Sequence, residues 1–319
     1  MEIIYFIFQQ MMFFSIPLLI VALGGMFSER SGVVNIALEG IMVAGAFSSI
    51  YFINRVQGAM SGQGLLLLAI LVALGSGLLY SFLHAYAAIS LKSNQTISGT
   101  ALNMIAPAAS IYLARTTLPN GIQQIQFVNT FRIEKVPVLG DIPVLGPLLF
   151  QNCYITTYLG LIILAASAFV LYKTRFGLRL RACGEHPQAA DSVGINVYKI
   201  RYAGVLISGA LAGLGGLVYV IPTSTNFNAT VSGYGFLALA VLIFGQWKPL
   251  RIFVAAFFFG LMKTVAASYS GIPVLKDLGI PSDIYKMIPY IATMVVLAFT
   301  SRRSQAPRAS GVPYDKGAR

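Results

Sequence analysis

The chain has 319 residues, of which 57% are hydrophobic and only 10% charged, with a mean hydropathy of +0.76. A soluble domain keeps its surface wet with about 25% charged residues, so a soluble globular fold is excluded. The apolar content rules out a disordered chain, and two cysteines are too few for a disulfide scaffold. A net charge of +12 would suit nucleic acid if Lys and Arg shared one wettable face, but here they sit between long apolar runs. No nucleic-acid partner is expected, and the charge reports orientation in a membrane.

About nine runs reach the roughly 20 apolar residues that a membrane-crossing helix needs, within a range of eight to ten. Continuous runs of this length lack the period-two alternation of barrel strands, so the expected fold is all-α, a polytopic transmembrane helical bundle over residues 1–300 with a cytoplasmic basic tail over 301–319. The first run, Ile3 to Phe27, lacks a basic leader and is too long for a cleaved signal, so it is expected to be retained.

The second run, Val33 to Ile53, follows Ser31 and Gly32, which read as a break. The span is therefore expected to be broken, with its helix N-terminus facing a protein-lined cavity. It carries Glu39, with Asn35 one turn away on the same face. An intramembrane carboxylate costs about 2.5 to 3.5 kcal/mol on insertion scales and asks for compensation. Two readings stand: a neutral Glu39 bonded to a neighbouring helix, or a group lining a translocation pathway.

The third run is Leu65 to Leu91 and the fourth Ile97 to Leu118. Asn103 lies within the fourth, and Asn94, Gln95 and Thr96 just precede it. These polar groups either bond between helices or touch a solute. The long segment Pro119 to Asn152 carries Arg132 and Lys135 against Glu134 and Asp141, a balance suited to the outside.

After the fifth run, Tyr154 to Tyr172, the loop 173–201 holds Lys173, Arg175, Arg179, Arg181, Lys199 and Arg201. The tail carries Arg302, Arg303, Arg308, Lys316 and Arg319. Both basic regions belong in the cytoplasm, which places the N-terminus outside. The sixth run, Tyr202 to Ile221, repeats small residues at Gly209, Ala212, Gly213 and Gly216, a helix-packing face.

The seventh run is Tyr234 to Gln246, the eighth Ile252 to Tyr269 and the ninth Tyr285 to Thr300. Lys263 sits near the middle of the eighth, where a buried pairing with Glu39 would satisfy both charges. Cys153 and Cys183 fall on opposite sides of the membrane in this topology. His84 and His186 are single and lack metal-site spacing. No metal or other cofactor is expected.

Within the basic loop, Pro187 suits the first turn of a helix that Gln188 to Ser192 continue and that Gly194 ends in a left-handed conformation. Such a short helix either docks into a cleft on a partner or lies solvated at the interface. The loop's Gly184, Glu185, Pro187, Ala189, Ala190, Gly194, Ile195 and Asn196 resemble the coupling segment of ATP-binding-cassette (ABC) importer permeases. The similarity is to the branched-chain amino acid, ribose and nucleoside branch.

The stretch Ser28 to Gly40 is similar to the second-span signature of nucleoside permeases of the guanosine type. Ile97 to Pro107, Gly233 to Pro249 and Pro313 to Gly317 extend the match along nearly the whole chain.

This resemblance implies a transmembrane permease of a bacterial cell membrane, importing nucleosides. Riboflavin or a simple sugar is the alternative cargo, and an ion-coupled secondary transporter the rival class. It also implies ABC ATPase subunits on the coupling helix, a second permease subunit forming a heterodimer as a paralogue, and an extracellular solute-binding lipoprotein. The ATPase-coupling set would be Glu185, Pro187, Ala189, Ala190, Gly194, Ile195 and Asn196, with Ala190 on the face that meets the partner. Candidate pathway residues are Asn35, Glu39, Asn103 and Lys263. The chain holds no Gly-Lys dipeptide, so it lacks a phosphate-cradling loop of the G-x-x-x-x-G-K-[ST] form. ATP hydrolysis falls to separate subunits, and the chain itself is not an enzyme.

Overall fold

A computed structural model describes residues 2–269, 281–300 and 305–317. Each of the nine apolar runs contains a helix. The first four are α1 (Glu2–Arg30), α2 (Leu38–Val56), α3 (Gln63–Ala85, widening into a π turn over Tyr86–Ser90) and α4 (Gln95–Thr117). Then come α5 (Ile155–Lys173), α6 (Arg175–Glu185), α7 (Pro187–Ser192) and α8 (Val197–Thr223). The last are α9 (Tyr234–Phe244), α10 (Pro249–Ser268) and α11 (Ser282–Thr300). Among the described residues, six helices are long and apolar enough to cross a membrane, and α9 is apolar but shorter.

Side-chain bonds define two ends of the bundle. At one end Gln9 donates to the Pro147 carbonyl (2.7 Å), Asn54 to that of Gln126 (2.7 Å), Gln63 to that of Phe131 (2.9 Å) and Asn129 to that of Ile221 (2.7 Å). The segment between α4 and α5 gathers there. Its strand β2 (Ile133–Lys135) pairs antiparallel with β3 (Gln151–Cys153), and β1 (Ile125–Gln126) with β4 (Asn226–Phe227) just after α8. At the other end Arg30 donates to the Trp247 carbonyl (3.1 Å) and lies 3.8 Å from Glu185, while Arg201 donates to Val312 (2.9 Å). Thus α1 and α8 run in opposite senses. Cys153 and Cys183 lie at opposite ends, both buried with free thiols.

Packing is reciprocal: α1 lies against α8, α9 and α10, and α8 lies against α1, α2 and α3. The small-residue face expected on α8 is the seam. A Cβ at residue 213 would stand 2.4 Å from the Ala73 carbonyl oxygen, and one at residue 45 would stand 2.4 Å from the Gly213 Cα. Only the absence of side chains lets α2, α3 and α8 approach this closely.

Three boundaries differ from the sequence expectation. First, the second run becomes helical only at Leu38, because residues 31–37 pass as turns and extended chain whose polar groups find partners elsewhere. Gln95 Oε1 accepts from Val34 N (2.7 Å), His84 Nε2 bonds the Val34 carbonyl (2.9 Å), and Ser28 Oγ donates to that of Val33 (2.7 Å). Buried backbone that leaves a helix must find such partners elsewhere in the protein.

Second, the loop 173–201 contains a second helix, α6. Thr174 Oγ1 caps it by accepting from Gly177 N (3.1 Å), and Leu180 and Cys183 lie buried on its inner face. Burial pushes the Cys183 thiol up to about 11, so it stays neutral.

Third, the tail is not a separate appendage over its described part, residues 305–317. It crosses the end of the bundle as a strap. Gln305 N donates to Gln246 Oε1 (2.8 Å), Ala309 N to the Gly184 carbonyl (2.9 Å) and Gly311 N to the Gly32 carbonyl (3.2 Å). Tyr314 is buried against Tyr198, and Asp315 pairs with Lys92 at 2.9 Å.

Candidate functional site

Because α2 begins after the link and ends beside Gln126, while α9 begins at Gly233 and ends beside Gln246, the two helices meet N-terminus to N-terminus inside the bundle. Glu39 occupies the junction. Its Oε1 accepts from Gly233 N (2.9 Å) and its Oε2 from Gly235 N (2.6 Å). A helix N-terminus carries unpaired N–H groups and a partial positive charge, so the carboxylate completes the first turn of α9 with charge-assisted bonds. Residue 235 must be glycine here, since a Cβ would lie 2.4 Å from the Glu39 Cα. The expected Glu39–Lys263 pairing does not form; among the described residues no ion pair joins them.

Asn103 sits beside this junction, accepting from Gly40 N (2.7 Å) at the start of α2 and donating to the Ile36 carbonyl (2.9 Å). Asn35, fully buried, donates to Ser208 Oγ (3.0 Å). Asn94 caps α4, accepting from Thr96 N (2.9 Å) and Ile97 N (3.2 Å). Each of these amides binds protein groups and holds the link between α1 and α2 or a helix end.

Lys263 is placed differently. Its Nζ lies 5.4 Å from the ring centroid of Tyr234 and 5.6 Å from that of Tyr290, at the wall of a cavity of about 490 Å³ also lined by Phe14, Tyr219 and Tyr269. A second cavity of about 380 Å³ shares Ser232, Lys263 and Tyr290 and continues along Phe236, Thr293 and Met294. The rings of Tyr219 and Tyr234 are 4.1 Å apart. One rim of this space, Ser232 to Tyr234, includes Gly233, whose amide Glu39 holds. Sequence reasoning named Lys263 but not its aromatic neighbours, because they come from α1, α8, α9 and α11 and share no local pattern.

At the basic end, α7 forms as expected, with Pro187 at its first turn and Gly194 left-handed at φ +85°. Its orientation corrects the expectation for Ala190. Pro187 and Ala190 are buried, Ala190 in a cluster with Cys183, Val197 and Tyr314. Gln188, Ala189, Gly194 and Asn196 face outward, and Val193 projects at 75% exposure, while Ile195 is partly covered. Glu185 is turned toward Arg30 and the strap, accepting from Arg308 N (3.4 Å). Behind this surface lies a cluster the sequence did not announce: Trp247, the single tryptophan, donates from Nε1 to the buried Glu29 (2.6 Å).

Six helices long and apolar enough to cross a membrane, beside a partly open cavity, are the architecture of a multi-pass membrane protein. The chain belongs to the family of branched-chain amino acid transport system permease components, which matches residues 7–297. It is 47% identical over 307 residues to the guanosine ABC transporter permease protein NupQ of Bacillus subtilis (strain 168), covering 96% of this chain and 95% of that one. It is 43% identical over 311 residues to the nucleoside ABC transporter permease protein NupC of Lactococcus lactis subsp. cremoris (strain MG1363), covering 97% and 96%. A solved transporter described as of the metal-chelate ABC type, in an inward-facing conformation, shares the fold. Its TM-score is 0.52 at 17% identity, with 91% of this chain and 85% of that chain covered. The chain is thus a transport subunit and not an enzyme.

Proposed function

We propose that this chain is the permease subunit of an ATP-driven importer of nucleosides, working with ABC ATPase subunits, a second and paralogous permease, and an extracellular solute-binding lipoprotein. The cargo follows from the nucleoside and guanosine permeases to which the chain is similar along nearly its whole length. The observation that carries the coupling role is α7, an exposed helix on the basic end, mounted on the chain's own core by Pro187 and Ala190. A movement of an ATPase seated on Val193 and Ala189 would pass through Tyr314 and the strap to the link between α1 and α2. Nine spans, a second span broken at residues 31–37, an outside N-terminus and a cytoplasmic tail complete the reading. Glu39 spends both oxygens on helix amides, which argues against an ion relay.

Two measurements test it. Val193→Glu adds charge to a side chain that its own fold leaves in the open, so the permease should assemble normally. ATP-dependent nucleoside uptake should nevertheless fall at least about tenfold, since a docking face tolerates no unpaired buried charge. Full uptake with the ATPase still bound in detergent would remove α7 from the interface. Ala190→Glu is the poorer test, because it would bury a charge inside the permease itself.

For orientation, Lys316→Cys in a background lacking Cys153 and Cys183 should react with a membrane-impermeant maleimide only after the cells are permeabilised. Reaction in sealed cells would invert the topology.

A further inference from the structure

We infer that the cavity around Lys263 selects 6-oxopurine nucleosides, with the lysine ammonium donating to the adjacent O6 and N7 acceptors of the base while the tyrosine rings face the heterocycle. The inference rests on the nucleoside reading above and adds a residue and a base edge to it. Lys263 presents three N–H donors. Among the described residues it has neither a carboxylate within ion-pair distance nor a hydrogen-bond acceptor, and its neighbours are the faces of Tyr234 and Tyr290. Aromatic faces attract a cation but leave its N–H donors without strong acceptors. The missing acceptor is therefore one that a solute brings.

The surroundings say what kind of solute. The cavity offers Phe14, Tyr219 and Tyr290 to a flat ring and the Ser232 hydroxyl to a polar rim, while Tyr234 lies buried behind Lys263 and Tyr219. Stacking on such side chains is much the same for every base, since each has a π-face. Discrimination falls to the donor. Guanine and hypoxanthine present O6 beside N7, two acceptors on one edge, and lysine pairs with that edge where proteins read guanine. Adenine presents an amino donor in place of O6, so the ammonium would meet a donor. Inosine and adenosine are nearly equal in size and stacking, and they differ at position 6, with the N1 proton that accompanies the 6-oxo group.

The test uses cells carrying the whole importer with this chain, and compares initial uptake of tritiated inosine and adenosine. Selectivity imposed outside the membrane cancels when the inosine-to-adenosine ratio is compared between variants of one chain. Lys263→Met should lower that ratio at least about tenfold, the scale of one lost bidentate contact. Lys263→Arg, which keeps the donors, should hold it within about threefold. Equal loss of both nucleosides in Lys263→Met overturns the inference while leaving the nucleoside reading intact; failure of the unaltered importer to take up inosine, adenosine, guanosine, uridine or cytidine overturns both. Because a variant can fail to assemble, a second measurement uses the unaltered chain. Photolysis with 8-azidoguanosine should label peptides containing Tyr219 or Tyr290, protected by excess inosine more than by adenosine. Labelling confined to other segments overturns the assignment.

Discussion

Gly213→Leu should abolish the folded permease. The position lies on the seam where α8 meets α2 and α3, and the atoms a side chain would strike are backbone: the Ala73 carbonyl oxygen at 2.4 Å and the Gly77 Cα at 2.7 Å. A flexible side chain could swing aside; helix backbone cannot. Adding even a Cβ would force apart helices that also touch through Gly45 and Gly209. Ordinary overpacking costs about 1–3 kcal/mol, and this case should lie above that range because nothing nearby can relax. That approaches the whole stability of a typical domain, about 5–15 kcal/mol. The control is Gly75→Leu on α3, where an added Cβ meets nothing within 4 Å. Fluorescence-detected size exclusion should show a monodisperse peak for Gly75→Leu and its loss for Gly213→Leu. A normal peak for the latter would mean that the seam is looser than described.

Glu39→Gln should leave the protein assembled but less stable, by about 2–4 kcal/mol, and slow in transport. The carboxylate serves two backbone donors at once, Gly233 N and Gly235 N. A carboxamide supplies one oxygen and turns an NH2 group toward the other amide, leaving a buried donor unpaired at about 1–3 kcal/mol. Loss of the negative charge at the start of α9 adds up to about 2 kcal/mol in a partly buried setting. The turn Ser232 to Tyr234 would shift, and with it one wall of the cavity beside Lys263. Thermal unfolding in detergent and uptake in cells check the two effects together. An unchanged melting temperature would show that the carboxylate does not cap α9.

The nine apolar runs were legible because a lipid-facing helix must be apolar along its whole length, a property that needs no partner to be recognised. The start of α2 was not legible. Whether residues 31–37 coil or unwind depends on Gln95, His84 and Asn103, which bond that link from α3 and α4 across 50 or more residues of sequence. Helix α6 could have been found, since Thr174 caps it and Leu180 and Cys183 share one face, but the density of arginines hides the pattern. Ala190 was placed on the wrong face because its cover, Tyr314, arrives from the tail. Glu39 stood out in the sequence as a cost that needed compensation. The compensation proved to be a helix terminus rather than a cation, and backbone amides leave no trace in a residue-by-residue reading.

The strap also has a consequence for biogenesis. A chain is made and inserted from its N-terminus, so α7 leaves the ribosome well before residues 305–317 exist. Until then Ala190 lacks Tyr314 beneath it, and neither the Gly184 carbonyl nor the Gly32 carbonyl has its bond from the tail. A stalled or truncated product could place every helix in the membrane and still present an unfinished surface at α7. Completion of translation and completion of that surface are then one event, and the geometry itself withholds a finished platform from incomplete chains.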